Sequence, residues 1–280
     1  MKTIKIIIPI DYTEVSRNTV EYVLVMAKKL RTKFIFVHAY SVPYPSSTPT
    51  GMGTMAVPVS GIQESQEKLN ESKLQEFIDS FPELTSINYK RYVAFGATVD
   101  VICQTAKDEN ANLIVMGTKG ADSSIEEFFI GTVSEKVSRN ASCSVLVAPE
   151  STKFTTISHL GLALDEDSLK NDVDLDLLDK LLETFNANLH LVQITNENDT
   201  ALNENEVLTH YKNFLGQKEF TFSIFQNDDP EKGINKFLNE KPIDVLALFY
   251  REHKFFERLF EKGLRRKLLF GSNIPLLVFK

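Results

Sequence analysis

Two segments of small residues in the first half of the sequence have the composition of an anion-binding site. Residues 117–120 (Gly-Thr-Lys-Gly) follow an apolar run at 113–116, and residues 131–133 (Gly-Thr-Val) precede a helical pattern. Glycine lets a ligand approach the backbone closely, and the N–H groups that open a helix attract anions. The pattern predicts a buried strand that ends in a phosphate-binding loop, with further donors at the start of the next helix.

A single carboxylate, Asp11, stands at a comparable junction near the start of the chain. It follows a largely β-branched run at residues 4–10 and precedes apolar residues at helical spacing. Asp at such a position either contacts a ligand or caps the helix that follows, and the residue type alone leaves both roles open.

The elements that would position these residues alternate between strand and helix. Apolar runs at residues 4–10, 34–39, 87–93, 113–116 and 144–147 predict five strands, and helical patterns separate most of them. This alternation is typical of a doubly wound parallel sheet, which binds ligands beyond the carboxyl ends of its strands. Asp11, Ala39, Met116 and Gly117 are all predicted at that edge.

The second half of the sequence repeats the pattern of the first. Residues 159–165 parallel 5–11, residues 189–194 parallel 34–39, and residues 244–248 parallel 112–116. A final apolar run at 275–278 closes the second copy as 144–147 closes the first. The repeat predicts two tandem α/β domains, residues 1–150 and 151–280, each with a five-stranded, mainly parallel sheet flanked by helices.

Composition excludes several classes of protein. The 280 residues carry a formal net charge of −7, which disfavours nucleic acid as a partner because that binding depends on clustered Lys and Arg. No apolar run approaches the roughly 18 residues of a membrane span, and no signal peptide is recognisable, so we expect a cytoplasmic protein without a membrane partner. The two cysteines, Cys103 and Cys143, are expected to be reduced core thiols.

Motifs for chemistry at a metal or a nucleophile do not occur in the sequence. None of the five histidines forms an i, i+4 pair, and no Walker loop, complete dinucleotide motif or nucleophile elbow is present. We therefore predict no metal site and no catalytic residue.

Together these residues resemble the universal stress protein family in a tandem, two-domain form. The resemblance rests on Asp11 at the strand end, the order of five strands, and a loop similar to the family's Gly-two-Gly-nine-Gly-Ser/Thr motif. In this chain ten residues, one more than in the motif, separate Gly120 from Gly131. The resemblance implies a Rossmann-like fold of the adenine nucleotide alpha hydrolase type and a site for ATP or a related adenine nucleotide, with or without Mg²⁺. The residues it assigns to that site are Asp11, Ala39, Met116, Gly117, Lys119, Gly120, Gly131, Thr132 and Val133.

The same resemblance implies that the two halves differ in function. Asp165 corresponds to Asp11, but Phe249 and Tyr250 stand where the first half has Gly117 and Thr118, so the second site is expected to be degenerate. We expect a nucleotide-binding protein with a regulatory role in stress response. A slow ATPase and a nucleotide-free interaction scaffold are the alternatives.

Family members commonly pair through their last strands. The resemblance therefore implies that residues 145–147 and 276–278 pair within one chain and form an internal pseudo-dimer, with a homodimer left open.

Overall fold

A computed structural model describes residues 3–41, 59–118, 132–165, 168–169, 175–196, 201–216, 218–250 and 274–280. Side chains are described within these ranges except at 59–62 and 132. In the described residues, a helix follows most of the strands, which confirms the predicted α/β class.

The first half contains five strands and four α-helices within its described residues. They are β1 (Ile4–Pro9), α1 (Glu14–Ala27), β2 (Thr32–Tyr40), α2 (Val59–Asp79), β3 (Tyr89–Phe95), α3 (Thr98–Asp108), β4 (Leu113–Thr118), α4 (Thr132–Asn140) and β5 (Ser144–Pro149). A 3₁₀ turn, Pro82–Ser86, lies between α2 and β3 and accounts for the start of β3 two residues later than predicted.

The second half repeats the order of strands, and three of its helices fall within the described residues. Its elements are β6 (His159–Leu164), α5 (Asp176–Phe185), β7 (Asn188–Thr195), α6 (Glu204–Leu215), β8 (Phe220–Gln226), α7 (Pro230–Glu240), β9 (Val245–Phe249) and β10 (Leu276–Phe279). None of the helices in the described ranges has both the length and the apolar character that crossing a bilayer requires.

The ten strands of the described residues form one sheet, in the order β3-β2-β1-β4-β5-β10-β9-β6-β7-β8. Every neighbouring pair is parallel except β5 and β10, which run antiparallel and pair Leu146 with Leu277. This confirms the expected pairing of the last strands within one chain. The second half thus follows the first in mirrored strand order, as in a two-fold dimer.

Helices cover both faces of this sheet. On one face, side chains from α1, α2, α5 and α6 belong to a single apolar cluster that extends through both halves. Phe154, in the segment between the halves, lies edge-on to Tyr22 of α1 at 4.8 Å and to Phe185 of α5 at 5.5 Å. On the other face, the packing of α3 and α4 is separate from that of α7. The two halves therefore share one apolar layer on the first face, whereas each half has its own apolar layer on the second face.

The buried seam between β5 and β10 predicts a large stability cost when its packing is removed. Leu277 is 1% exposed, so Leu277→Ala should lower the free energy of unfolding by about 2–5 kcal/mol through lost apolar burial and a residual cavity. Denaturant unfolding followed by circular dichroism measures this change. Leu69, which is 47% exposed, provides the matched control, since Leu69→Ala should change stability by no more than about 0.5 kcal/mol. Equal effects of the two substitutions would contradict a buried seam.

Candidate functional site

The carboxyl ends of β1 and β4 border the point where the chain connections of the first half diverge. From β1 the chain passes through α1 on one face to β2, whereas from β4 it passes through α4 on the opposite face to β5. The two strands are parallel neighbours, with Ile7 beside Ile114. Doubly wound sheets bind ligands in the crevice at this point.

Asp11 lies at this edge with its carboxylate fixed by the start of α1. Its Oδ1 accepts hydrogen bonds from the Thr13 backbone N–H at 3.1 Å, from the Thr13 hydroxyl at 2.6 Å and from the Ser16 hydroxyl at 2.6 Å. Thr13 is the N-cap of α1, so the alternative role of Asp11 as that cap does not apply. Within the described residues no donor reaches Oδ2, and this oxygen remains an available acceptor.

The environment of Asp11 also keeps it ionised. Burial raises the pKa of its carboxyl, but the hydrogen bonds from Ser16 and Thr13 together lower the pKa by more, so it lies below its usual value. Asp11 therefore carries a full negative charge at neutral pH.

Two aromatic residues that sequence patterning does not identify, Tyr12 and His38, complete this part of the edge. Tyr12 has φ of 65°, which is uncommon for a bulky residue, and its ring lies 4.5 Å from the His38 ring and 5.8 Å from the Phe77 ring. His38 Nδ1 is 2.8 Å from the Ile10 carbonyl oxygen. Because that oxygen can only accept, Nδ1 carries the proton. The packing of these rings thus stabilises the left-handed backbone conformation of Tyr12, just after β1.

Only some of the other predicted site residues lie within the described ranges. Ala39 is half-buried near the end of β2, beside Ala94 of β3. Met116 is buried in the cluster under α3 and α4, and Val133 packs partly against the same cluster. Lys119, Gly120 and Gly131 lie outside the described residues, as does the side chain of Thr132, the first residue of α4.

Gly117 is not in a loop, and this corrects the prediction from sequence. Strand β4 continues through Gly117 and Thr118, which pair with Ala148 and Pro149 of β5. A Cβ at residue 117 would lie 2.4 Å from Val15 Cγ1 and 2.6 Å from Thr19 Oγ1. Glycine is required here because α1 crosses β4 closely, whether or not a ligand binds.

Thr118 places a hydroxyl at the same edge, and sequence patterning overlooked it. The residue is 4% exposed, and its Oγ1 has no hydrogen-bond partner in the part of the chain that the structure describes. Alternation along β4 places its side chain on the face of Met116, which α3 and α4 cover. Helix α4 begins at this edge because it connects the carboxyl end of β4 to the amino end of β5. A buried hydroxyl without a partner costs about 1–3 kcal/mol, so Thr118 is suited to a ligand atom.

Comparison with protein families decides the classification. A family model described as the universal stress protein family matches residues 3–149, just over half of the chain. The chain belongs to the universal stress protein family. This confirms the resemblance drawn from Asp11, the strand order and the glycine segments.

Individual universal stress proteins match either one half or the whole chain. The universal stress protein MJ0531 of Methanocaldococcus jannaschii is 26% identical over 153 residues, which cover 53% of this chain and 84% of that protein. The universal stress protein YxiE of Bacillus subtilis is 25% identical over 147 residues, covering 51% and 97% of the two chains. A crystal structure of a universal stress protein from Archaeoglobus fulgidus is similar with a TM-score of 0.66 at 18% identity, over 99% of this chain and 96% of that one. The tandem fold is therefore shared along the full length.

The packing around Gly117 predicts how this universal stress protein responds to a single added methyl group. Gly117→Ala should lower the free energy of unfolding by about 1–3 kcal/mol, because the new Cβ overlaps Val15 and Thr19. Chemical denaturation measures the change. In a Val15→Ala background the same substitution should cost less, with a coupling of at least about 0.5 kcal/mol in the double-mutant cycle. Additive effects would refute the close contact.

Proposed function

We propose that the first half of this universal stress protein binds an adenine nucleotide, ATP or a relative, in the crevice between β1 and β4. One observation carries the proposal. At the point where the connections diverge, Asp11 Oδ2 offers an acceptor and Thr118 Oγ1 a buried donor, and neither has a partner among the described residues. A nucleotide has the matching groups, since it carries ribose hydroxyls and an amino group at one end and phosphate oxygens at the other.

The two ends of such a ligand would meet different parts of the crevice. Asp11 would accept hydrogen bonds from the ribose or the base, and the small side chain of Ala39 leaves room for a planar ring at the end of β2. The backbone of Met116 would lie along the base, and Gly117 allows the crossing of α1 that holds Asp11 in place.

The phosphates would lie on the α4 side of the crevice. The backbone N–H groups of Thr132 and Val133 open α4, where the positive end of the helix favours an anion. The Thr118 hydroxyl would donate from the end of β4. Lys119, Gly120 and Gly131 are proposed to complete the phosphate contacts, with or without Mg²⁺, as the family motif implies.

The second half is proposed to have lost this capacity. Asp165 retains one comparable contact, since its Oδ1 accepts a hydrogen bond from the Ser168 hydroxyl at 2.6 Å. However, α5 begins eleven residues after Asp165, whereas α1 begins three residues after Asp11. Phe249, at the position equivalent to Gly117, is buried, and its ring lies 5.6 Å from that of Phe279. The contrast supports one nucleotide per chain and a packing role for the second half, within a regulatory protein of the stress response.

Calorimetric titration with ATP, with and without Mg²⁺, tests the proposal directly. We expect a stoichiometry of one per chain. Asp11→Asn and Thr118→Val should each weaken binding at least about tenfold, since each removes a hydrogen bond that involves a charged partner. Asp165→Asn is the matched control and should leave affinity unchanged. Absence of heat at millimolar ATP would refute the proposal, and two equivalent sites would refute the asymmetry.

The stability of Thr118→Val without ligand provides an independent measurement. Valine fills nearly the same volume and removes a buried hydroxyl that has no described partner, so the free energy of unfolding should rise by about 1 kcal/mol. The same variant should therefore be more stable and bind ATP more weakly. A loss of stability in denaturant unfolding would show that the hydroxyl is already satisfied by the protein.

A further inference from the structure

Two histidines of the second half, His159 and His190, lie side by side although they are 31 residues apart in the chain. His159 begins β6, and His190 lies on the parallel neighbour β7, where it is the register partner of Gly161. Side chains alternate along a strand, so His159 and His190 share one face of the sheet. The strands β5, β10 and β9 separate β6 from β4, so the pair is distinct from the proposed nucleotide crevice.

The ring nitrogens of the two histidines face each other. His159 Nδ1 lies 3.0 Å from His190 Nε2, and the ring planes are tilted by 33° with their centroids 5.2 Å apart. A hydrogen bond between two imidazoles requires one proton between the nitrogens. When that proton moves to the far nitrogen of its own ring, both facing nitrogens present a lone pair. The pair can then act as a chelate for a cation.

Thr221 orients the His190 ring from its other side. His190 Nδ1 is 3.0 Å from the Thr221 hydroxyl, and the two residues are register partners on β7 and β8. The hydroxyl can accept a hydrogen bond from Nδ1–H, which leaves the lone pair of His190 on Nε2, toward His159. Outer hydrogen bonds of this kind select the tautomer and fix the ring in metal sites.

The groups around the pair favour an ion that binds imidazole over one that is held by charge. Asp244 Oδ2 accepts hydrogen bonds from the backbone N–H groups of Ser158 at 2.7 Å and of His159 at 2.9 Å, which fixes the start of β6. The positive charge of Lys241, which follows α7, also acts on His190 and opposes the charge of Asp244. Mg²⁺ and Ca²⁺ require oxygen ligands, whereas imidazole suits first-row transition metals.

The spacing of the two nitrogens indicates a coordination geometry. With metal–nitrogen bonds of about 2.0–2.1 Å, two ligand nitrogens are about 2.9 Å apart at a right angle and about 3.4 Å apart at a tetrahedral angle. The 3.0 Å between His159 Nδ1 and His190 Nε2 matches the right angle. Tetragonal sets of nitrogen and oxygen ligands are typical of Cu²⁺ and Ni²⁺, and Cu²⁺ binds most tightly in the divalent series.

Solvent reaches the pair. Both histidines are half-buried, and Thr221 is exposed at the edge of the sheet. Among the residues that the structure describes, no group of three or more His, Cys, Asp or Glu side chains could hold a metal ion. The pair would therefore supply two positions around an ion, and water or an exchangeable small ligand would fill the others.

We propose that His159 and His190 form a two-histidine site for Cu²⁺ or Ni²⁺ in the second half. The ion binds His159 Nδ1 and His190 Nε2, and the proton that lay between them moves to His159 Nε2. Both ligands stay neutral, and His190 Nδ1–H keeps its hydrogen bond to Thr221. The second half thereby has a ligand of its own, which does not depend on nucleotide binding in the first half.

Titration of the full-length protein with Cu²⁺ in the presence of glycine, which competes for weakly held ions, tests the site. We expect one tightly bound ion per chain, with an electron paramagnetic resonance spectrum that shows coupling to two imidazole nitrogens. His159→Ala and His190→Ala should each weaken this binding at least about tenfold, and the double variant should be no weaker than either, because chelation needs both rings. Ni²⁺, which the two free thiols do not reduce, serves for a parallel titration.

Matched variants separate the pair from other histidines. Thr221→Val removes the outer hydrogen bond at an exposed position and should weaken Cu²⁺ binding about 10–100-fold while the coupling to two nitrogens remains. His210→Ala removes a half-buried histidine elsewhere and should leave affinity and spectrum unchanged. Unchanged affinity in His190→Ala or in Thr221→Val, or coupling to a single nitrogen, would overturn the proposal. Tighter binding of Zn²⁺ than of Cu²⁺ would refute the right-angled geometry.

Discussion

The antiparallel pairing of β5 with β10 is the constraint on which the rest of this structure depends. Each strand would otherwise end its own half-sheet with a row of unpaired backbone groups and buried apolar side chains, an arrangement that proteins avoid. Pairing satisfies both strands at once and fixes the register Leu146 to Leu277. It also brings α1 and α5 close enough to share Phe154.

Much of this architecture could be predicted from sequence because it follows from periodicity and repetition. The succession of strands along each half and the α/β class follow from apolar runs in the sequence itself. The positions at which strands end are harder to predict from sequence. Strand β4 extends through Thr118 because β5 supplies partners as far as Pro149, a contact between residues distant in the chain. No local pattern near Gly117 signals it, since glycine and threonine also suit a loop.

In the candidate site, too, some residues can be identified from local sequence and others only from contacts between distant parts of the chain. Asp11 could be identified because it follows a strand and precedes a helix, whereas Tyr12, His38 and Thr118 acquire their importance from neighbours on other elements. Gly117 is instructive, since the sequence identified the residue but not the physical reason. Its lack of a side chain accommodates α1, and through α1 it positions the hydroxyls of Thr13 and Ser16 that hold Asp11. A glycine can thus shape a candidate site indirectly, through the helix that packs against it.

The linkage of both halves in one polypeptide has a consequence for stoichiometry. Two separate subunits associate according to their concentration, whereas halves joined by a short segment experience an effective concentration in the millimolar range and stay together on dilution. Separate copies would also form mixed pairs at random. In this chain translation itself guarantees that each assembly contains one half with Gly117 and one with Phe249. Such an arrangement lets the two halves diverge independently, because neither can be exchanged for a second copy of the other.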